Sequence, residues 1–185
     1  MRKIILNLAV TLDGFIEGPN GEIDWCHVDE DSGTASFFDE FLADIDTIFY
    51  GRVSYDLWGQ YQPSGDTPLP EKKIWEAVHS KKKYVFSRYP KVDNKATYIS
   101  TDLESKVSAI KQEPGKNIWL YGGANLITEF INAGLVDTYL LAVYPVILGT
   151  GKPLFANIKN RVGLTLQGVE TSRSGVMLVR YDVKR

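Results

Sequence analysis

The chain has 185 residues, 44% of them apolar, and its 21 lysines and arginines set against 23 aspartates and glutamates leave a net charge of −2. That is enough apolar material for one domain with a sizeable core, and too even a balance for a nucleic-acid or anionic-membrane surface; Lys81, Lys82 and Lys83 form only a short, solvated strand entry. A single cysteine, Cys26, closes no internal disulfide. No stretch has the length of a membrane span, and the apolar N-terminus runs into Asp13 and Gly14 without a cleavage pattern, so a cytoplasmic protein is expected.

Ile4 to Leu12 is a nearly continuous apolar run, as in a strand buried on both faces of a parallel or mixed sheet. The segment Asp13 to Asp31, with Gly14, Gly18, Pro19 and Gly21, has no sustained period and is long for a connection in a compact domain, which suggests a lid. Phe37, Phe38, Phe41, Leu42 and Ile45 mark an amphipathic helix with Ser32 as a candidate cap, followed by a strand at Thr47 to Tyr50 that stops at Gly51. From Arg52 a short helix carrying Val53, Leu57 and Trp58 leads to a loop rich in proline and glycine, and Pro70 opens the next helix, with Ile74, Trp75 and Val78 on its apolar side.

Tyr84 to Phe86 forms a third strand, ending in Ser87 and Arg88, and Ala96 to Ile99 a fourth. Thr101 with Glu104 fits a capping box for a helix whose Leu103, Val107 and Ile110 face inward, stopped by Pro114 and Gly115. Ile118 to Tyr121 then meets Gly122 and Gly123 and turns into a helix with Leu126, Ile127, Phe130 and Ile131 on one face, ended by Gly134. Tyr139 to Val146 is another apolar strand. The Gly149-Thr150-Gly151-Lys152 that follows is not a phosphate loop, because Pro153 stands where a magnesium-binding Ser or Thr belongs. Leu164 to Val169 and Val176 to Val183 close the chain as a hairpin with one wet face.

Alternating strands and helices with a terminal antiparallel pair predict one α/β domain over residues 1–185: a three-layer sandwich on a mostly parallel sheet of about eight strands. Ligands of such sheets bind beyond the carboxyl ends of the strands. Three of those ends carry polar or glycine-rich residues: Gly51-Arg52-Val53-Ser54, Ser87-Arg88 and Gly122-Gly123-Ala124-Asn125. The glycine pair serves either tight strand-to-helix packing or close approach of a phosphate to the free N–H groups of the following helix. One helix N-terminus contributes only about 0.3–1 kcal/mol toward an anion, whereas micromolar affinity needs roughly 8 kcal/mol. Several strand ends must therefore act on one ligand. His79 reads as an ordinary helix residue, and Cys26 with His27 has no partner at metal-ligand spacing, so no metal site is expected.

Five short motifs stand in an order that resembles the dihydrofolate reductase-like superfamily: Leu8 to Ile16 with Trp25 following, Gly51-Arg52-Val53-Ser54-Tyr55, the Ser87 strand end, Tyr121-Gly122-Gly123, and Tyr144 to Gly151 with Leu154-Phe155. Leu12-Asp13-Gly14 and Pro145 to Gly151 are more similar to the reductase domain of bacterial riboflavin biosynthesis proteins, the RibD C-terminal domain family. The resemblance implies a dihydrofolate reductase-like fold and NADPH across the strand ends, with Ala9 among the cofactor residues. Gly51, Arg52 and Ser54 would lie near the adenosine side, Ser87 and Arg88 near the 2′-phosphate, and Gly122, Gly123, Ala124, Asn125 and Leu126 under the pyrophosphate.

It also implies hydride transfer to a small heterocycle or carbonyl compound, as in 5-amino-6-(5-phosphoribosylamino)uracil reductases, in a pocket bounded by the lid, Trp25 and the first strand. A proton would come from water or one carboxylate, with Asp13 and Glu30 as candidates beside Asp29 and Asp31. The groups for a ribosyl phosphate do not map residue by residue. A homodimer is expected by analogy, through the late apolar strand and the terminal hairpin. The reading from another class is a nucleotide-binding module that keeps the cofactor cleft without the chemistry.

Overall fold

The computed structural model describes residues 1–26 and 34–185, with the side chains of residues 34–36 and 70 left aside. An eight-stranded sheet runs through the molecule in the order β5-β4-β3-β6-β1-β7-β10-β9. These strands are β1 (Ile4–Thr11), β3 (Ile45–Gly51), β4 (Lys82–Phe86), β5 (Thr97–Ile99), β6 (Asn117–Gly122), β7 (Thr138–Tyr144), β9 (Leu164–Thr171) and β10 (Met177–Val183). The first six are mutually parallel, and β10 pairs antiparallel with both β7 and β9. The expected mostly parallel sheet with a C-terminal antiparallel hairpin is thus present.

Alternation along each strand divides the core into two layers. On one face Ile4, Leu6, Phe49, Ile118 and Leu120 pack under α4 (Leu103–Gln112) and α5 (Ala124–Asn132). On the other, Ile5, Ile48, Trp119 and Leu140 meet α1 (Thr34–Ala43) and α3 (Leu69–His79). In α5 the buried positions Leu126, Ile127, Phe130 and Ile131 repeat at helical spacing, and Gly134 takes the left-handed conformation (φ 66°) that ends the helix.

Several local expectations are corrected. Ile45 opens β3 rather than closing α1, because burial on the sheet competes successfully with the helical period. After β3 comes a single α turn, α2 (Arg52–Ser54), passing into a π turn at Tyr55–Gly59. Its inward residue is the fully buried Tyr55, while Val53 and Leu57 are exposed. The Tyr55 hydroxyl donates to Asp93 Oδ2 at 2.9 Å, which holds the π turn against the loop before β5. The Thr101–Glu104 capping box does not form: Asp102, in a left-handed conformation (φ 53°), caps α4 without a side-chain hydrogen bond. The segment after Asp13 is not structureless, since β2 (Phe15–Glu17) pairs antiparallel with β8 (Lys152–Pro153).

Candidate functional site

A cleft of about 1500 Å³ lies across the carboxyl ends of the parallel strands, where an open α/β sheet places its ligands. Its two ends differ in chemistry.

At one end, the tips of β3 and β6 touch through glycines. A Cβ on Gly51 would come within 3.3 Å of the Gly123 nitrogen, one on Gly122 within 2.9 Å of Ile127 Cδ1, and one on Gly123 within 3.0 Å of Ser54 Oγ. Gly122 also has φ +111°, a region L-residues rarely adopt. Gly123 caps α5 with extended backbone, and the first α5 bond recorded from this corner runs from Ile127 N to Gly123 O at 3.0 Å. The amides of Ala124, Asn125 and Leu126 therefore have no partner within the helix and border the cleft.

Ser87 and Arg88 follow β4 into the same end. The Ser87 hydroxyl is occupied by its own turn, accepting from Tyr89 N at 3.1 Å and donating to Tyr89 O at 3.0 Å. Arg88 is exposed and has no hydrogen-bond or ion-pair partner among the described residues. Arg52 differs: its Nη1 is 3.0 Å from Asp56 Oδ2 one helical turn on. A three-residue turn also offers little helix dipole, so Arg88 is the less engaged of the two arginines at this end.

The other end is aromatic. The register pairs Ala9 with Ala142 across β1 and β7, and alternation puts Asn7 and Ala9 on the face of Trp119, Tyr121, Ala142 and Tyr144. Phe38 of α1 packs edge-on against Trp119 at 5.7 Å, and Trp25 edge-on against Tyr144 at 5.4 Å. The Cys26 thiol and Tyr144 hydroxyl are hydrogen-bonded to each other; burial raises both pKa values and keeps both groups protonated. Burial likewise raises that of Tyr121. The Asn7 carbonyl accepts from Trp119 Nε1 at 2.8 Å, whereas its side-chain Nδ2 and Trp25 Nε1 are buried donors with no acceptor among the described residues. Buried polar groups are ordinarily satisfied, so two orphans facing one cleft point to a ligand.

Of Asp13, Trp25 and Glu30, expected around the reacting atoms, the structure brings Trp25 to the cleft. Glu30, with Asp29 and Asp31, lies outside the described residues. Asp13 does not line the cleft. Its carboxylate accepts from Thr11 Oγ1 at 2.6 Å, Gly149 N at 2.7 Å and Leu148 N at 3.1 Å. The Thr11 hydrogen bond, helped by the two amides, holds its pKa below the ordinary carboxylate value. A carboxylate kept ionised in this way is a poor proton donor; it ties the exit of β1 to the loop after β7, and with the Glu17–Lys152 ion pair it fixes the small β2–β8 sheet on one wall of the cleft.

Of the residues proposed for the cofactor, Ala9, Gly51, Arg52, Ser54, Ser87, Arg88 and Gly123 to Leu126 line the cleft, and Gly122 stands behind them in the turn. Asn7, Cys26, Trp119, Tyr121 and Tyr144 were not singled out as site residues. The available signal was Asn7, an amide interrupting an otherwise apolar strand at the period of the face that carries Trp119 and Tyr121. Among the described residues there is no cluster of metal-ligating side chains, and no helix is long and apolar enough to cross a membrane.

The sheet order, the terminal hairpin and a cleft over the parallel strand ends define a dihydrofolate reductase-like α/β protein. A family model described as the RibD C-terminal domain matches residues 2–178, and the chain belongs to that family. It is 56% identical over 181 residues to the uncharacterized protein YyaP of Bacillus subtilis (strain 168), covering 97% of this chain and 94% of that protein. A putative riboflavin biosynthesis protein from Shewanella sp. PV-4 superposes with a TM-score of 0.78 at 23% identity, covering all of both chains. A deaminase/5-amino-6-(5-phosphoribosylamino)uracil reductase from Thermotoga maritima gives 0.68 at 16% identity, covering 99% of this chain and 57% of that one. Both structures share the fold.

Proposed function

We propose that this protein is an NADPH-dependent reductase of a small heterocyclic or carbonyl substrate. One observation carries the reading: among the described residues, a single cleft joins an end where Arg88 is unpaired and the first α5 amides have no partner within the helix to an aromatic end with two orphaned donors. The residues present fit the cofactor. Arg88, beside the Ser87 turn, suits a terminal phosphate by charge-assisted hydrogen bonding. The glycine contact between the β3 and β6 tips leaves room for a pyrophosphate at the α5 amides, and Ala9 gives a small floor for a flat ring.

When bound, NADPH supplies hydride; the chain supplies position and dryness. Trp25, Phe38 and Trp119 exclude water from the aromatic end, and Asn7 with Trp25 orients the acceptor by its N–H groups. The proton comes from water or from a carboxylate of the Asp29–Asp31 stretch, not from Asp13. Membership of the RibD C-terminal domain family and the fold shared with the Thermotoga maritima deaminase/reductase support this reading.

Loss of NADPH absorbance with a ribosylaminopyrimidine, dihydrofolate and simple carbonyl compounds tests it: oxidation dependent on one of these is expected. Tight NADPH binding without oxidation by any of them would instead favour a non-catalytic binding module.

We also infer a cytoplasmic homodimer. The late strand β7 lies inside the sheet between β1 and β10 and offers no edge, so the hairpin alone remains: edge strand β9 exposes Leu166 and Val169, beside Met177 of β10, an apolar edge of the kind that copies of a chain cover isologously. A dimer mass by light scattering at micromolar concentration is expected, and a monomer mass would contradict it.

A further inference from the structure

The aromatic end of the cleft is defined as much by charge as by shape. Ala9 and Ala142, paired across β1 and β7, form a low step between Asn7 and Tyr144. Trp119 and Tyr121 rise on one side, their rings 5.0 Å apart, and Leu178, opposite Ala142 on β10, borders the other. A flat ring is the shape that fits.

Its polar groups are uncharged. Asn7 is 9% exposed, and its Nδ2 and the Trp25 N–H have no partner among the described residues. Tyr121, Tyr144 and Cys26 are all held in their neutral forms by burial.

Cations are engaged or elsewhere. Lys152 is paired with Glu17 and Arg52 with Asp56; Arg88 belongs to the β4 end. Arg180 shares the face of Leu140 and Asn7 but lies outside the cleft lining. That census is of the described residues, which exclude 27–33. A phosphate at this end would be stripped of water without a charged partner, which is strongly unfavourable.

We propose that the substrate is an uncharged planar ring or conjugated carbonyl, whose acceptor atoms take the Asn7 amide and the Trp25 indole N–H, and that a phosphorylated sugar on that ring is rejected. This rests on reading the cleft as a reductase site and narrows it: the substrate differs from the phosphoribosyl compound named for the Thermotoga maritima protein. A donor left without its acceptor weakens binding by roughly five- to a hundredfold.

Calorimetric titration of the protein, without cofactor, by 5,6-diaminouracil and by 5-amino-6-(5-phosphoribosylamino)uracil at low and high salt tests the assignment. The expected result is at least about tenfold tighter binding of the neutral ring with little salt dependence. Asn7→Leu and Trp25→Phe should each weaken it about tenfold, and Arg180→Ala should leave it unchanged. Tighter, salt-sensitive binding of the phosphorylated compound, binding of neither compound, or indifference to both Asn7→Leu and Trp25→Phe would overturn the proposal. NADPH titration of the same preparation separates the two claims: ring binding without cofactor binding would defeat the reductase reading and leave the neutral slot standing.

Discussion

The two edges of the central sheet are built from the same strands and treat polar groups in opposite ways. At the amino edge, Asp137 ties three segments together. Its Oδ2 accepts from Ile4 N at 2.7 Å and from Lys111 Nζ at 2.6 Å, and its Oδ1 is paired with Arg185. Beside it, Arg2 is paired with Asp46 and donates to Lys116 O and Thr47 Oγ1, both at 2.6 Å. The hollow there, about 250 Å³, is lined by these ion-pairing residues and their neighbours. At the carboxyl edge the Asn7 amide nitrogen, the Trp25 N–H and Arg88 have no such partners among the described residues. A fold that satisfies one edge this completely shows that the open groups on the other are not a general looseness of the chain. Polar groups are paired at one edge and left open at the other, which is what a proposed division between stability and recognition requires.

That division can be broken from either side. The largest effect on the fold should come from Asp137→Asn, which leaves the buried Lys111 ammonium without its anion and should cost about 3–5 kcal/mol in urea unfolding. The same variant, where folded, should keep wild-type NADPH affinity; loss of affinity would mean that the two edges are not separable.

On the other edge, Gly123→Val drives a branched side chain into Ser54 Oγ and over the α5 amides. It should weaken NADPH binding by about a hundredfold or more, roughly 2.8 kcal/mol, while the protein remains folded by circular dichroism. Normal binding would reduce the glycine pair to a packing device. Asn7→Leu removes an unsatisfied buried donor, so it should stabilise the protein by about 1 kcal/mol even as it harms ligand binding. Destabilisation would show that the Asn7 amide works for the fold rather than for a ligand.

The smallest effect concerns Asp13. Its folded-state pKa is depressed, chiefly by the Thr11 hydroxyl. Its contribution is therefore present above the unfolded value, about 3.9, and fades as pH falls through the lower folded value. Asp13→Asn should lower Tm slightly at pH 7, with the difference from wild type shrinking in acid. A rate that follows Asp13 protonation near neutrality would restore it as the proton donor.

Much of this architecture is written in the order and period of the residues. The buried strands announce themselves as Ile4 to Leu12 and Tyr139 to Val146, and the Gly122-Gly123 corner follows from a strand running straight into a helix. Local geometry was less legible where two signals compete. Ile45 fits both the helical period and the strand it joins, and the π turn at Tyr55 shifts the inward face away from Val53 and Leu57. At the candidate site, the clustering of Gly51, Ser87, Arg88 and Gly123 at one end of the cleft was readable because glycines and arginines at strand ends are local signals. The aromatic end was legible only as far as Trp25 and the first strand, because Asn7, Trp119, Tyr121 and Tyr144 come together only through register between strands far apart in sequence. Asp13 looked like an acid for the same reason: its amide partners, Leu148 and Gly149, lie 135 and 136 positions away.

The central claim is that the anion-receiving end recognises the phosphate that distinguishes NADPH from NADH, through Arg88. Titration of both cofactors against wild type, Arg88→Ala and Arg52→Ala measures this directly. The account predicts a wild-type preference for NADPH of about 2–4 kcal/mol, largely abolished in Arg88→Ala and mostly retained in Arg52→Ala, whose guanidinium is already committed to Asp56. Equal affinities for the two cofactors in the wild-type protein would contradict it.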